Sequence, residues 1–377
     1  MPSVRPPPEA PSRVTVLHLD TERGWRGGER QTLWLATTLD PHRYQSIVAA
    51  RPGEPLAQRA AAAGLQVVPL RPMGELDAFA AWELHVMLKQ ARVAIVHAHT
   101  AHAVALAALA AVGTRTRIVI TRRVDFRLRR TIGTRWKYGR ADALIAISRA
   151  VADILVASGI PQNRITIIPS GIDLRRRIDR ADDEVLAALG VPRGAPLVVQ
   201  VAQLVPHKDP VTFVEAMAIA RARMPTLHAL IVGDGPLRSS VQQAVARLQL
   251  TDAVHLTGYR TDADNLLATA DVVTLSSREE GMGTVLLDGL ALGKPIAATA
   301  AGGIPEIVTP ACGRLVPVAD ASALGEAIAS LVLDVRGDPE RRATWAAAAR
   351  ARAAEFSIVR TADRTAAVYD AVCAGRL

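Results

Sequence analysis

Short apolar runs recur along the whole chain, and the segments between them carry apolar residues at helical spacing. Residues 14–19, 46–50, 66–70, 94–98, 118–121, 141–148 and 165–168 form one series of runs, and 197–201, 227–232, 254–257, 271–275, 295–299 and 315–317 a second. Most are rich in Val, Ile, Leu or Ala without an apolar–polar alternation, which fits strands covered on both faces, as in a parallel sheet. Segments 31–39, 55–63, 79–90, 322–333, 339–356 and 360–374 have the periodicity of helices. Strand alternating with helix predicts doubly wound α/β architecture. A chain of 377 residues exceeds one ordinary core, so two such units are expected. The stretch 94–112 is long enough to suggest a membrane span, but its alanines and its three histidines fit a strand running into a buried helix.

Composition narrows the function classes. Hydrophobic residues make up 50% and charged residues 21%, a globular balance. Only 3% are aromatic, too few for the stacking platforms of a nucleic-acid binder. Cys312 and Cys373, far apart in sequence, give neither a disulfide framework nor a cysteine zinc site and suit a reducing cytoplasm. Residues 1–13 form a Pro-rich arm without the pattern of a secretory signal. The net charge of +9 is local, since residues 115–140 hold nine Arg and one Lys against Asp125 alone. Phe126, Leu128, Ile132, Trp136 and Tyr138 lie among those cations, a mixture suited to an anionic membrane surface.

The candidate chemistry clusters at the ends of predicted strands. After the run 271–275, Glu280, Gly281, Met282 and Gly283 turn the chain into a helix beginning near Thr284, and its unpaired backbone N–H groups can hold an anion. Asp288 follows Glu280 by eight residues, about two helical turns. A second unit follows, residues 295–299 as a strand and then GGIPE opening a further helix. Gly27 and Gly28 stand just before a helix, where they let backbone approach a ligand. His97 and His99 alternate on a strand and share a face. With His102 they could form a zinc site, although no carboxylate or cysteine is close by in sequence; core histidines are the plainer reading. Arg122 and Arg123 emerge from the strand at 118–121 and could clamp a phosphate, or form a solvated basic loop.

The stretch 276–308, SSREEGMGTVLLDGLALGKPIAATAAGGIPEIV, resembles the donor-binding signature of family 4 retaining glycosyltransferases, which have the GT-B fold. The resemblance covers most of the chain and is strongest from Leu197 onward. It implies two doubly wound, Rossmann-like domains facing across a cleft: an acceptor-side domain at 1–178, a nucleotide-sugar domain at 190–356, and a helix at 357–377 crossing back to the first. Residues 175–193 would be the linker. By the same resemblance Glu280 and His99 would orient the transferred sugar, Lys208 would hold the diphosphate, and Asp288, where the family usually has Glu, would bind the ribose. Gln203 stands where the family usually has Arg; Gly27, Gly28, Gly233, Arg260 and the turn Gly281, Met282, Gly283 and Thr284 complete the donor site.

The implied reaction moves a sugar from a nucleotide-sugar to a glycan or lipid-linked acceptor of the cell envelope, with retention and without a metal or other cofactor. The enzyme would be cytoplasmic, at the inner face of the membrane. Two alternatives stay open: a sugar-nucleotide epimerase on the same scaffold, and a non-catalytic relative, which the departures at Gln203 and Asp288 motivate.

Overall fold

The computed structural model describes residues 13–128 and 131–376, so residues 1–12 of the Pro-rich arm and two cations of the basic run, Arg129 and Arg130, lie outside the described residues. The first sheet holds β1 (Val14–Leu19), β2 (Tyr44–Ala50), β3 (Gln66–Pro69), β4 (Ile95–Ala98), β5 (Arg117–Arg122), β6 (Ala143–Ala146) and β7 (Ile165–Ile167). The second holds β8 (Leu197–Val201), β9 (His228–Val232), β10 (Val254–Gly258), β11 (Val272–Leu275), β12 (Ile296–Thr299) and β13 (Gly313–Val316). Their orders are β3-β2-β1-β4-β5-β6-β7 and β10-β9-β8-β11-β12-β13. All the paired strands are parallel, and β4, β6, β11 and β12 are buried from end to end, because helices cover both faces. The stretch expected to run from strand into buried helix does so, as β4 followed by the helix Ala101–Ala110.

Three local expectations give way to contacts the sequence does not display. The helix after β1 spans Gly27–Thr38, so the glycine pair forms its first turn rather than a preceding loop. The carboxylate of Glu29 accepts from the N–H of Arg26 at 2.7 Å, which closes that turn. The linker contains a short helix, Asp183–Ala188, started by acidic residues that complement its dipole. GGIPE forms only a 3-10 turn, Ile304–Glu306. Arg352 donates to the carbonyls of Glu306 (2.7 Å) and Ile307 (2.8 Å), which therefore need no helical continuation.

The last helix, Ile358–Cys373, lies on the first domain. Ile172 donates to Phe356 O at 2.7 Å and accepts from Ile358 N at 2.9 Å, so the two crossings between domains run side by side. Gly171 permits this approach, since a Cβ there would come within 2.5 Å of the Ile358 Cα. Among the described residues no helix is long and apolar enough to cross a membrane.

Candidate active site

Each sheet reverses its strand order once, between β1 and β4 in the first and between β8 and β11 in the second. Connections leaving such neighbouring strands diverge to opposite faces, which opens a crevice at the carboxyl ends of the strands. The chemistry-bearing residues cluster at these two points.

In the second domain, β8 leads to the 3-10 turn Pro206–Lys208 and β11 leads to the glycine turn. Lys208 Nζ bonds the carboxylate of Glu280, and Ser277 Oγ donates to the same oxygen at 3.3 Å. Ser276 Oγ, 2.9 Å from Asp209 O, ties the two loops together beneath that pair. The Glu280 carbonyl accepts from Gly303 N at 2.9 Å, and a Cβ on Gly302 would fall 1.9 Å from the same oxygen. Gly302 and Gly303 thus serve as a floor for Glu280. Gly283, with φ +76°, turns the chain into the helix Thr284–Ala291.

The first domain meets this turn closely. Ser148 Oγ donates to Gly281 O at 2.7 Å, and a Cβ on Gly281 would come 2.3 Å from the carbonyl of Arg123. A Cβ on Gly27 would come 2.7 Å from Thr284 Oγ1. Met282 is buried, its sulfur accepting from Ser170 N at 3.2 Å. Glu306 accepts from Arg149 N (2.9 Å) and Ala150 N (3.2 Å), capping the helix Arg149–Ala157 of the other domain.

Beneath the glycine pair lies a buried chain of polar groups. Arg123 Nη2 is 3.2 Å from His99 Nδ1, and His99 Nε2 is 3.1 Å from His18 Nδ1. Arginine only donates, so His99 accepts at Nδ1 and donates from Nε2, and His18 must carry its proton on Nε2. That nitrogen and Arg123 Nε are buried without a partner. Both nitrogens of His97 are taken, by Tyr369 Oη at 2.6 Å and Thr121 Oγ1 at 2.7 Å. His99, expected to reach a sugar hydroxyl, is 3% exposed, with its nitrogens engaged by Arg123 and His18. The trio His97, His99 and His102 does not assemble, because His102 is 56% exposed and faces Glu75 at 3.8 Å. His18 takes its place, with one nitrogen of each of His18, His97 and His99 within 4.8 Å of the others. The residues do not fit a metal: His97 is fully committed and Arg123 adds a positive charge.

Burial, then Arg123, pushes His18 down to about 3, and burial with the neighbouring imidazoles and Arg123 holds His97 and His99 well below the usual histidine range. Burial also brings Arg123 down to about 10, against the pull of Asp20 and Glu29. The Glu29 carboxyl is pushed up to about 7, first by burial and then by Asp20. An imidazole whose pKa falls on folding binds its proton preferentially in the unfolded chain. For His18 the window runs from about 6.5 to about 3, so its contribution to stability is complete above that window and drains away as pH falls through it. We expect the urea midpoint to drop between about pH 7 and pH 4.5. His18→Gln should flatten the drop; equal slopes for both proteins would refute the assignment.

Asp288, expected to bind a ribose, is placed at the junction of the domains. Its carboxylate is 1% exposed and is held by Arg30 of the first domain and by Arg176 of the linker at 3.3 Å. The same two arginines reach Asp264, and both stack near Trp34, at 4.8 and 5.4 Å from its ring. Burial raises the pKa of the Asp288 carboxyl, and the arginines oppose the rise. A carboxylate so enclosed joins the two domains through Arg30. Asp288→Ala leaves the two cations with Asp264 alone and should cost about 2 kcal/mol, read as a lower urea midpoint; Asp264 and the water the arginines keep limit the loss.

Arg122 is likewise structural. It donates to the carbonyls of Val124 (3.1 Å) and Phe126 (2.6 Å) and approaches Tyr138 Oη at 3.3 Å, so it shapes the loop that presents Arg123. Arg260 is held by Asp262 in a two-bond fork of 2.7 and 2.6 Å. Gln203 is exposed, and Gly233 packs under its loop, where a Cβ would meet Ala202 O at 2.0 Å. His18, Arg30 and Arg176 were not singled out from sequence. His18 pairs in register with His97 across β1 and β4, a signal that needs strand order to be seen.

The two halves of the chain each match a described family: residues 25–176 match Glycosyltransferase Family 4 and residues 182–352 match Glycosyl transferases group 1. The chain belongs to the family 4 glycosyltransferases, and its fold is GT-B. It is 33% identical over 203 residues to the GDP-mannose-dependent monoacylated alpha-(1-6)-phosphatidylinositol monomannoside mannosyltransferase of Corynebacterium glutamicum, covering 50% of this chain and 52% of that protein. It is 31% identical over 254 residues to the D-inositol 3-phosphate glycosyltransferase of Saccharomonospora viridis, covering 64% of this chain and 58% of the relative. The match thus spans little more than half the length of these relatives. The crystal structure of Anabaena HepE in complex with UDP-glucose is similar in fold, with a TM-score of 0.80 at 22% identity, over 95% of this chain and 99% of that one.

Proposed function

We propose that the protein transfers a sugar from a nucleotide-sugar to a glycan or lipid-linked acceptor of the cell envelope, with retention of configuration. The observation that carries this reading is the Lys208–Glu280 pair at the switch point of the second sheet, beside the glycine turn that meets the Arg123 backbone of the other domain. Lys208, Arg123 and the start of the helix Thr284–Ala291 would receive the diphosphate and stabilise the charge that grows as the sugar–phosphate bond breaks. Glu280 would grip sugar hydroxyls, while His99 holds Arg123 in place. The relatives named for GDP-mannose and inositol phosphate, and the HepE complex with UDP-glucose, support a nucleoside diphosphate leaving group and a polyol or phosphoinositide-like acceptor.

Because the chain's own cations neutralise the leaving group, transfer would need no divalent metal, and EDTA would leave turnover unchanged. The test is incubation with a panel of nucleotide-sugars and acceptors. Acceptor-dependent release of nucleoside diphosphate, with an α-linked product from an α-linked donor by NMR, is expected. An altered nucleotide-sugar formed without acceptor would point to the epimerase reading, and no release with any donor to a non-catalytic relative.

The same reading puts the enzyme at the cytoplasmic face of an anionic membrane. Ile132 and Trp136, 89% and 43% exposed, stand on the helix Ile132–Gly139, and Lys137 ties it at 2.7 Å to Glu75, beside the exposed Met73 and Leu76. These apolar side chains with the surrounding arginines suit the interface of an anionic bilayer. Sedimentation with anionic vesicles at low salt should carry the protein down, and Ile132→Ser with Trp136→Ser should leave it in solution. Failure of the unmodified protein to sediment would end this part of the proposal.

A further inference from the structure

At the amino ends of β8, β11 and β12, opposite the cleft, the second domain holds a cavity of about 340 Å³. Strands of four or five residues separate it from the cleft by about 13–17 Å. Its lining includes Arg180, Lys294, Arg336, Arg342 and Arg350, with Asp183 and Asp271 as its acids, an excess of three positive charges. The acids are already spent. Asp271 accepts from Leu197 N at 2.9 Å and pairs with Arg336 at 2.7 Å and Arg342 at 3.9 Å, and Asp183 pairs with Arg193 at 2.9 Å.

Lys294 and Arg350 remain. Neither side chain has a hydrogen-bond or ion-pair partner among the described residues. The Arg350 guanidinium lies against Gly293, where a Cβ would come 2.9 Å from its Cζ, so the glycine makes room for that cation at the cavity wall. Lys294 is pushed down to about 8, first by burial and then by Arg180, Arg342 and Arg350, against Asp271. Cations brought together in a concavity repel one another unless an anion joins them. A cavity of this volume falls at the lower end of the range that holds small ligands.

We propose that this cavity binds a small soluble anion bearing a phosphate monoester or diphosphate, with Lys294 and Arg350 as its principal contacts. Two to three negative charges match the excess, and guanidinium and ammonium groups together suit phosphate oxygens. The ligand would be an effector rather than a substrate, because the cavity lies at the opposite strand ends from Lys208 and Glu280. It also touches the linker. Arg180 donates to Thr269 O at 3.4 Å, and Arg176, four residues earlier, joins Asp288 to Asp264, so occupancy bears on the segment that connects the domains.

Calorimetric titration with inorganic pyrophosphate tests the site. Pyrophosphate also resembles the leaving group expected in the cleft, so the titration is run on the Lys208→Ala protein, where the cleft is weakened by the loss of one of its cations, and the cavity substitutions decide which site is read. A saturable site is expected to remain there. Arg350→Gln, on the exposed face of its helix, and separately Lys294→Met should each weaken it tenfold or more, with unchanged circular dichroism. Absence of saturable uptake in the Lys208→Ala protein, or uptake that neither further substitution alters, would overturn the proposal whatever the outcome for the cleft.

Discussion

Replacing Lys208 by Ala is expected to lower kcat by about 10²–10³-fold, the loss seen when one preorganised donor at a developing anion is removed. Lys208 stands at the end of the β8 connection with its ammonium on Glu280, and the pair is only 20% and 12% exposed, so water replaces little of what the side chain supplies. Gln203 in the same loop carries no charge, which leaves Lys208 as the loop's cation toward Glu280. The loss should fall on kcat more than on KM, because charge on the leaving diphosphate grows in the transition state. Lys208→Arg should keep part of the activity, since the charge remains and only its geometry changes. Unchanged kcat in Lys208→Ala with an identified donor would remove the assignment.

Gly281→Ala is expected to reduce kcat/KM about 100-fold while leaving the unfolding midpoint of the protein nearly unchanged. The added methyl would sit 2.3 Å from the Arg123 carbonyl, an atom of the other domain, and 3.4 Å from Ile147 Cδ1. The collision is between domains, at the edge of the buried cluster that Ile147 shares with Met282 and Ile304, and backing the domains off relieves it. They would separate by the order of an ångström, moving Arg123 and His99 away from the Lys208–Glu280 pair. Small misplacements of this kind are costly for a reaction that depends on positioning. A midpoint lowered in proportion to the activity would instead mean that Gly281 serves stability.

Particular elements show how far the sequence could be read. β4 and β11 were legible because strands buried on both faces must be apolar throughout, and no tertiary knowledge is needed to see Ile95, Val96 or Val272, Val273. The turn at Glu280 was legible for a similar reason: a strand followed by glycines and an apolar helix is a local pattern. The helix over Gly27 and Gly28 was not, since its first turn depends on Glu29 reaching back to Arg26 and on Thr284 of the other domain leaving no room for a side chain. His99 and Asp288 were found as residues, but their protein partners were not. Their places in the sequence say which strand end or helix turn they occupy; they do not say that Arg123 and His18, or Arg30 and Arg176, would arrive there first.

By itself the sequence determined the doubly wound α/β class, the number of sheets and the position of the Glu280 turn, because periodicity and glycine placement act over a few residues. Only the tertiary structure decided which of two adjacent arginines joins the buried histidines, which histidines share a hydrogen-bonded chain, and that Asp288 pairs across the domains. Those outcomes depend on side chains up to 258 residues apart competing for the same buried partners, and desolvation penalises whichever polar group is left without one.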